Sequence, residues 1–316
     1  MRFLVNYSII KSHLSVHFNN FRHISTTAVP KNSLLLNSSS LTSHTKISAI
    51  NDSPIKFQKR CSTTAFDDQP QTKKAEKILK RFWKEVSVIT NKDNEYQVAL
   101  DKRPLKTPNG SPLVISSSQK SLAILIAGEW ESQKTLLKQH SLPLTSLVAR
   151  SIDGFEKNPT EKQDAIARLI KYFDTDTICY QETYPERLVK LQRQYWDPIV
   201  NWARDYYKVK IKINNGIIGE KQHPETREKL QAVIENFDCL KLSAFERTTM
   251  LSSSFLIGLG LVERKLTVEE AAKATRVETI SQTMKWGEIA DVHAVDNEYI
   301  RSQLGSVACV LMNNNN

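Results

Sequence analysis

The apolar pattern of this chain changes character at Pro143, and that change constrains the fold more than any single motif does. Ahead of it lie short apolar runs separated by turn residues. Val86-Ser-Val-Ile-Thr and Glu95-Tyr-Gln-Val-Ala-Leu flank a polar stretch at 91–94, which predicts two strands around a turn. Asp101-Lys-Arg-Pro and Pro108-Asn-Gly-Ser-Pro are further turn signals and frame short extended pieces at 105–107 and 113–115. The serines at 116–118 then offer N-caps to a helix over 121–133, with Leu122, Leu125, Ile126 and Trp130 at helical spacing.

Beyond Pro143 the pattern turns helical and stays so. Helices are expected over 145–155, 160–173 and 185–207, the last kinked at Pro198, and again over 224–237, 244–261, 267–286 and 296–311. Lys208-Val-Lys-Ile-Lys-Ile alternates and reads as an isolated strand. Ser252, Ser254, Gly258 and Gly260 permit close approach of helices, which makes core packing the default there and a peptide groove the lesser reading. The class is α+β. A small N-terminal antiparallel β domain (73–144) is followed by a larger, mostly helical domain (145–316).

The net charge of +10 is unevenly distributed. Residues 1–66 hold eight Lys/Arg against one acid, Asp52, so this segment carries +7 and the remainder only +3. Nucleic-acid binding calls for a basic stripe on the folded part, and +3 gives little support for one. The first 66 residues also contain 18 Ser and Thr. A basic, Ser-rich, acid-poor start is the composition of a mitochondrial or plastid transit peptide. Cleavage motifs stand at Arg22-His-Ile-Ser-Thr-Thr and Arg60-Cys-Ser-Thr-Thr. Nothing approaches the roughly 18 apolar residues of a membrane span.

Catalytic constellations are missing from the sequence. It holds no GxxxxGK[ST], GxSxG or HExxH, and Cys61, Cys179, Cys239 and Cys309 are scattered without a CxxC. His140, His223 and His293 are too dispersed to suggest a metal site by spacing. Asp174-Thr-Asp176 is a DxD, which binds metal in some transferases, and also suits a helix end followed by an N-cap. The cap is favoured, and a metal-dependent transferase using Asp174 and Asp176 is the alternative. No cofactor is implied.

Near the C-terminus, Glu269, Lys273 and Arg276 are helical neighbours suited to a solvated, salt-bridged face. Glu278, Gln282 and Trp286 share one face at spacing four. A carboxylate, an amide and an indole in a row suit a protein partner, because the indole anchors and the charge selects. By spacing alone, the solvated face is the simpler account.

Six ordered stretches resemble the assembly chaperones that mature the alpha subunit of the mitochondrial F-type ATP synthase catalytic head. They are Arg81-Phe-Trp-Lys-Glu-Val, Val98-Ala-Leu-Asp-Lys-Arg-Pro-Leu-Lys-Thr-Pro, Ile126-Ala-Gly-Glu-Trp-Glu-Ser-Gln, Pro143-Leu-Thr-Ser-Leu, Tyr172-Phe-Asp-Thr-Asp-Thr, and Lys285-Trp-Gly-Glu followed by Asp291-Val-His. The resemblance implies a matrix protein without catalytic activity that binds the unassembled alpha subunit; the charge and the apolar runs add an expectation of no nucleic acid and no membrane insertion, and nothing in the sequence demands more than a monomer. It puts Glu278 first among client contacts, supported by Trp286, Glu288 and Asp291, and Gln282 joins them by its place on the same helical face. Trp130 and Asp101 are assigned to structure, one as an aromatic anchor between sheet and helix, the other as a turn-former.

Overall fold

The computed structural model describes residues 80–215 and 219–312. The expected leader and its cleavage motifs lie outside the described residues. Strand β1 (Val86–Thr90) pairs antiparallel with β2 (Tyr96–Leu100), Val88 opposite Val98. Their turn is built by Asn91, whose Oδ1 accepts the amides of Asp93 and Glu95 at 2.9 and 2.8 Å. Two short strands, β3 (Arg103–Pro104) and β4 (Val114–Ile115), add to the other edge of β2. The expected piece at 105–107 follows directly on β3 and pairs antiparallel with 111–113, Lys106 opposite Pro112 and the Leu113 amide donating to the Leu105 carbonyl at 3.0 Å. Helix α1 (Lys120–Glu131) covers the sheet with Leu122, Ala123, Ile126 and Trp130, which return to one face every three or four residues.

The expected boundary near 145 falls within α2 (Pro143–Arg150), which runs on into a π-helical turn, Ser151–Glu156. Next comes α3 (Pro159–Asp174), N-capped by Asn158 through the amide of Glu161. A short parallel pair, β5 (Tyr180–Gln181) with β6 (Asn214–Asn215), brackets α4 (Glu186–Tyr195) and α5 (Asp197–Tyr207). Helices α6 (Pro224–Glu235), α7 (Cys239–Ser252), α8 (Phe255–Val262), α9 (Val268–Thr275), α10 (Val277–Trp286) and α11 (Ala290–Val310) complete the chain. One cluster of buried apolar side chains extends from Trp83 under the sheet to Val310 in the last helix.

Three helices expected as single rods are each broken in two. Pro198 sits in the first turn of α5, where its missing N–H costs nothing, so the break falls at Trp196 and not at a kink. Ser253 adopts a left-handed conformation (φ +53°) and Ser254 caps α8 through the amide of Ile257. Arg276 separates α9 from α10, where the buried indole Nε1 of Trp196 donates to the carbonyl of Ala274 at 2.8 Å.

The expected strand at 208–213 does not form. Its alternation is real, since Val209 and Ile211 are buried, but its backbone is satisfied by side chains instead of a ladder. Arg204 Nε donates to the Ile211 carbonyl, Thr226 Oγ1 to that of Lys210, and Gln222 both receives the Lys212 amide and donates to its carbonyl. The small residues of α7 and α8 serve close packing. A Cβ on Gly258 would lie 2.5 Å from Thr249 Oγ1 and 2.8 Å from the Phe245 ring. Every residue of α8 is buried, so no peptide groove opens there.

Candidate interaction surface

Four of the quoted sequence stretches meet in one node that braces sheet, α1 and α2. Arg81 Nη1 donates to the carbonyls of Glu131 and Gln133 at 2.8 and 2.7 Å. The Trp83 and Trp130 rings lie 5.2 Å apart, and the Trp130 indole donates to Thr145 Oγ1 at 3.1 Å. The Glu129 carboxylate accepts the amides of Leu144 and Thr145 at 2.7 and 3.0 Å, so a negative group closes the N-terminus of α2. Burial pushes the Glu129 carboxyl up, against those hydrogen bonds. Asp101, at φ +48°, accepts the amides of Lys84 and Glu85 at 3.0 Å each. The bonds from Glu85 and then Lys84 hold its carboxyl below the usual range.

The DxD carboxylates do not converge. Asp174 ends α3 and faces Arg227 at 3.4 Å. Asp176 is fully buried, its Oδ1 accepting the amide of Ile178 and its Oδ2 that of Leu256. Both Asp176 oxygens are thus spent on helix starts, one of them eighty residues away. Among the described residues no group of His, Cys, Asp and Glu is placed to hold a metal ion. The transferase alternative is therefore set aside on the geometry of its own two residues.

Helices α10 and α11 are joined by a short connection, Gly287–Ile289, with α10 packed on α4 and α11 on α9, α2 and α7. Gly287 takes φ +86°, a conformation that side chains disfavour, and this lets the chain turn sharply out of α10. Arg276 ties the start of α10 to α11. Expected on a solvated face, Arg276 is instead nearly buried and donates to Asn297 Oδ1 at 2.6 Å and to the His293 carbonyl at 3.3 Å. His293 Nδ1 in turn accepts the amide of Ile289, fixing the entry to α11. Arg187 of α4 donates to the Ser281 carbonyl and holds the other side of α10.

The structure places Glu278, Gln282 and Trp286 on the exposed side of α10, Glu288 in the connection and Asp291 in the first turn of α11. Trp286 is 71% exposed, with the Lys285 ammonium 4.6 Å from its ring centre. Glu278 reaches the surface, yet the protein around it, and then the like charge of Glu182, push its carboxyl above the usual range. Sequence reasoning missed the apolar members of this tip. Met284, Ile289, Val292, Val295 and Tyr299 are all exposed. The signal was present, because α11 already supplies the core with Ile300, Leu304 and Val307. Val292, Val295 and Tyr299 form a second apolar stripe on another side of the same helix, and a helix needs only one to face a core.

The sequence model of the ATP12 chaperone protein family matches residues 80–204, the sheet through most of α5. The mitochondrial protein atp12 of Schizosaccharomyces pombe is 33% identical over 254 residues, covering 78% of this chain and 85% of the relative. The chain belongs to the ATP12 chaperone family. The mitochondrial ATP12 protein of Saccharomyces cerevisiae is 29% identical over 279 residues, covering 75% of this chain and 85% of its own. The crystal structure of the Atu1473 protein from Agrobacterium tumefaciens superimposes with a TM-score of 0.66 at 28% identity, over 74% of this chain and 85% of that one. Atp12 from Paracoccus denitrificans gives 0.61 at 28% identity, over 73% and 95%. Membership of the ATP12 family makes this a chaperone and not an enzyme, and its yeast relatives place it in the mitochondrion.

Proposed function

We propose that this ATP12-family chaperone acts in the mitochondrial matrix on ATP synthase assembly, binding the unassembled alpha subunit of the catalytic head through the exposed side of α10 and its junction with α11. In this reading Glu278, Gln282, Trp286, Glu288 and Asp291 contact the client, while Trp130 and Asp101 hold the frame. A free alpha subunit exposes the apolar surface later covered by its beta partner, and such patches aggregate. A holding surface must cover them and still yield to the beta subunit, which suits a few apolar anchors among charges. The observation carrying the proposal is the tip itself, where Trp286 and five further apolar side chains stand in water beside unpaired carboxylates. The test is refolding of denatured alpha subunit with and without the purified protein, followed by light scattering. Suppression near equimolar ratio, absent with an unrelated client, is the expected result. Undiminished scattering would overturn the proposal.

A further inference from the structure

We infer that the tip where α10 joins α11 receives an amphipathic helix of its partner, apolar along one side and bearing Lys or Arg at its margins. This rests on the chaperone reading above and names the chemistry of what is held. Val292, Val295 and Tyr299 lie one and two turns apart on α11 and form a ridge about 10 Å long, a length that two turns of a facing helix would cover. Met284, Trp286 and Ile289 are exposed at the end of α10 and in the connection that leads into α11. The margin of this surface is acidic in a chain that is otherwise basic. Between Glu278 and Tyr299 five carboxylates stand against Lys285, whose ammonium is turned onto the Trp286 ring.

Two of the five are answered within the protein, Asp296 by Arg276 at 3.8 Å and Glu298 by Arg301 at 3.2 Å. Among the described residues no basic side chain pairs with Glu278, Glu288 or Asp291. Glu278 also faces the like charge of Glu182, so a partner's cation relieves a repulsion as well as making a contact. The same carboxylates repel the phosphates of nucleic acid and of anionic lipid, which leaves a basic protein segment as the complementary occupant.

The test is fluorescence anisotropy with the full chain and a labelled, helical peptide of about 18 leucines and lysines, roughly five turns. Its counterpart carries Glu at every Lys position. The Leu–Lys peptide should bind, and the pairs Val292→Ser with Val295→Ser and Glu288→Lys with Asp291→Lys should each weaken it about tenfold or more. The Leu–Glu peptide should not bind. Equal binding of both peptides, or binding that neither pair of substitutions changes, would overturn the inference. So would sedimentation showing a dimer of the parent chain that the serine pair dissolves, since a second copy would then cover the tip. If the peptide binds at the tip and the alpha subunit does not compete, the inference stands and the client is another protein. If the alpha subunit binds unaffected by either pair, the client reading stands and this inference falls.

Discussion

The Leu256 amide donates to Asp176 Oδ2 at 2.9 Å, joining the end of α3 to the start of α8 with a fully buried carboxylate. The same side chain holds the Ile178 amide at 3.1 Å. Replacement by alanine leaves both amides in the core without that acceptor. Asp176→Ala should lower the unfolding free energy by about 3 kcal/mol in urea titration.

The pH dependence of this group has a definite sign. Burial pushes the Asp176 carboxyl up to about 6, against hydrogen bonds from Ser254, Leu256, Ile178 and Phe255. An acid with a folded pKa above its unfolded one binds its proton more tightly in the fold. Its contribution to stability is full below about pH 4 and is lost as pH rises through about 6. Asp176→Asn cannot titrate, so relative to the parent the variant should gain about 2–3 kcal/mol between pH 4 and pH 7. Urea titrations of both proteins across that window read the difference, and a constant offset would show that the carboxyl does not titrate there.

At Gly258 helix α8 lies hard against α7. A larger side chain must displace Thr249 or Phe245, both fully buried. Gly258→Val should cost about 1–3 kcal/mol through overpacking, seen as a lower melting temperature with an unchanged far-UV spectrum at room temperature.

Arg150 grips Glu246 with two parallel bonds, Nε at 2.7 Å and Nη2 at 2.8 Å, and Nη2 reaches Glu161 at 3.0 Å. Both partners of the Arg150–Glu246 pair are largely buried. A lysine cannot reproduce that fork, so Arg150→Lys should cost about 1–2 kcal/mol despite the conserved charge. Arg150→Met, which leaves Glu246 without its main partner, should cost about 3 kcal/mol. Equal melting temperatures for parent and lysine variant would contradict the geometry.

Glu278→Lys tests the client surface without touching the core. The position is exposed, so stability should change by less than about 0.5 kcal/mol, while capture of the alpha subunit falls. A folded variant that suppresses scattering as well as the parent would remove Glu278 from the contact.

The division into a small sheet and a large helical part was legible because turn chemistry and helical spacing are local. Asn91 builds the hairpin turn from its own side chain, and Asn158 with Pro159 starts α3 where such residues should. The breaks were less legible because their causes are distant. Nothing near Arg276 announces that Trp196, seventy-eight residues away, takes the Ala274 carbonyl. The missing strand at 208–213 has the same origin, since its carbonyls go to side chains on α5 and α6. Glu278 and Trp286 were singled out by helical spacing, whereas Met284 was passed over because an apolar residue in a helix is taken for core, and Val295 because the last helix was expected only from 296 and begins at Ala290. Five of the six resemblance stretches build the frame, and only Lys285-Trp-Gly-Glu reaches the tip.

Trp286 also makes the protein its own optical probe. Of its five indoles, Trp83, Trp130 and Trp196 are buried and Trp202 is half-buried, so only Trp286 emits chiefly from water. Covering the tip must shift that red-edge emission to the blue, and collisional quenchers added to the free protein must reach this indole before the others. Occupancy of the surface can therefore be followed by intrinsic fluorescence, in real time and without a label.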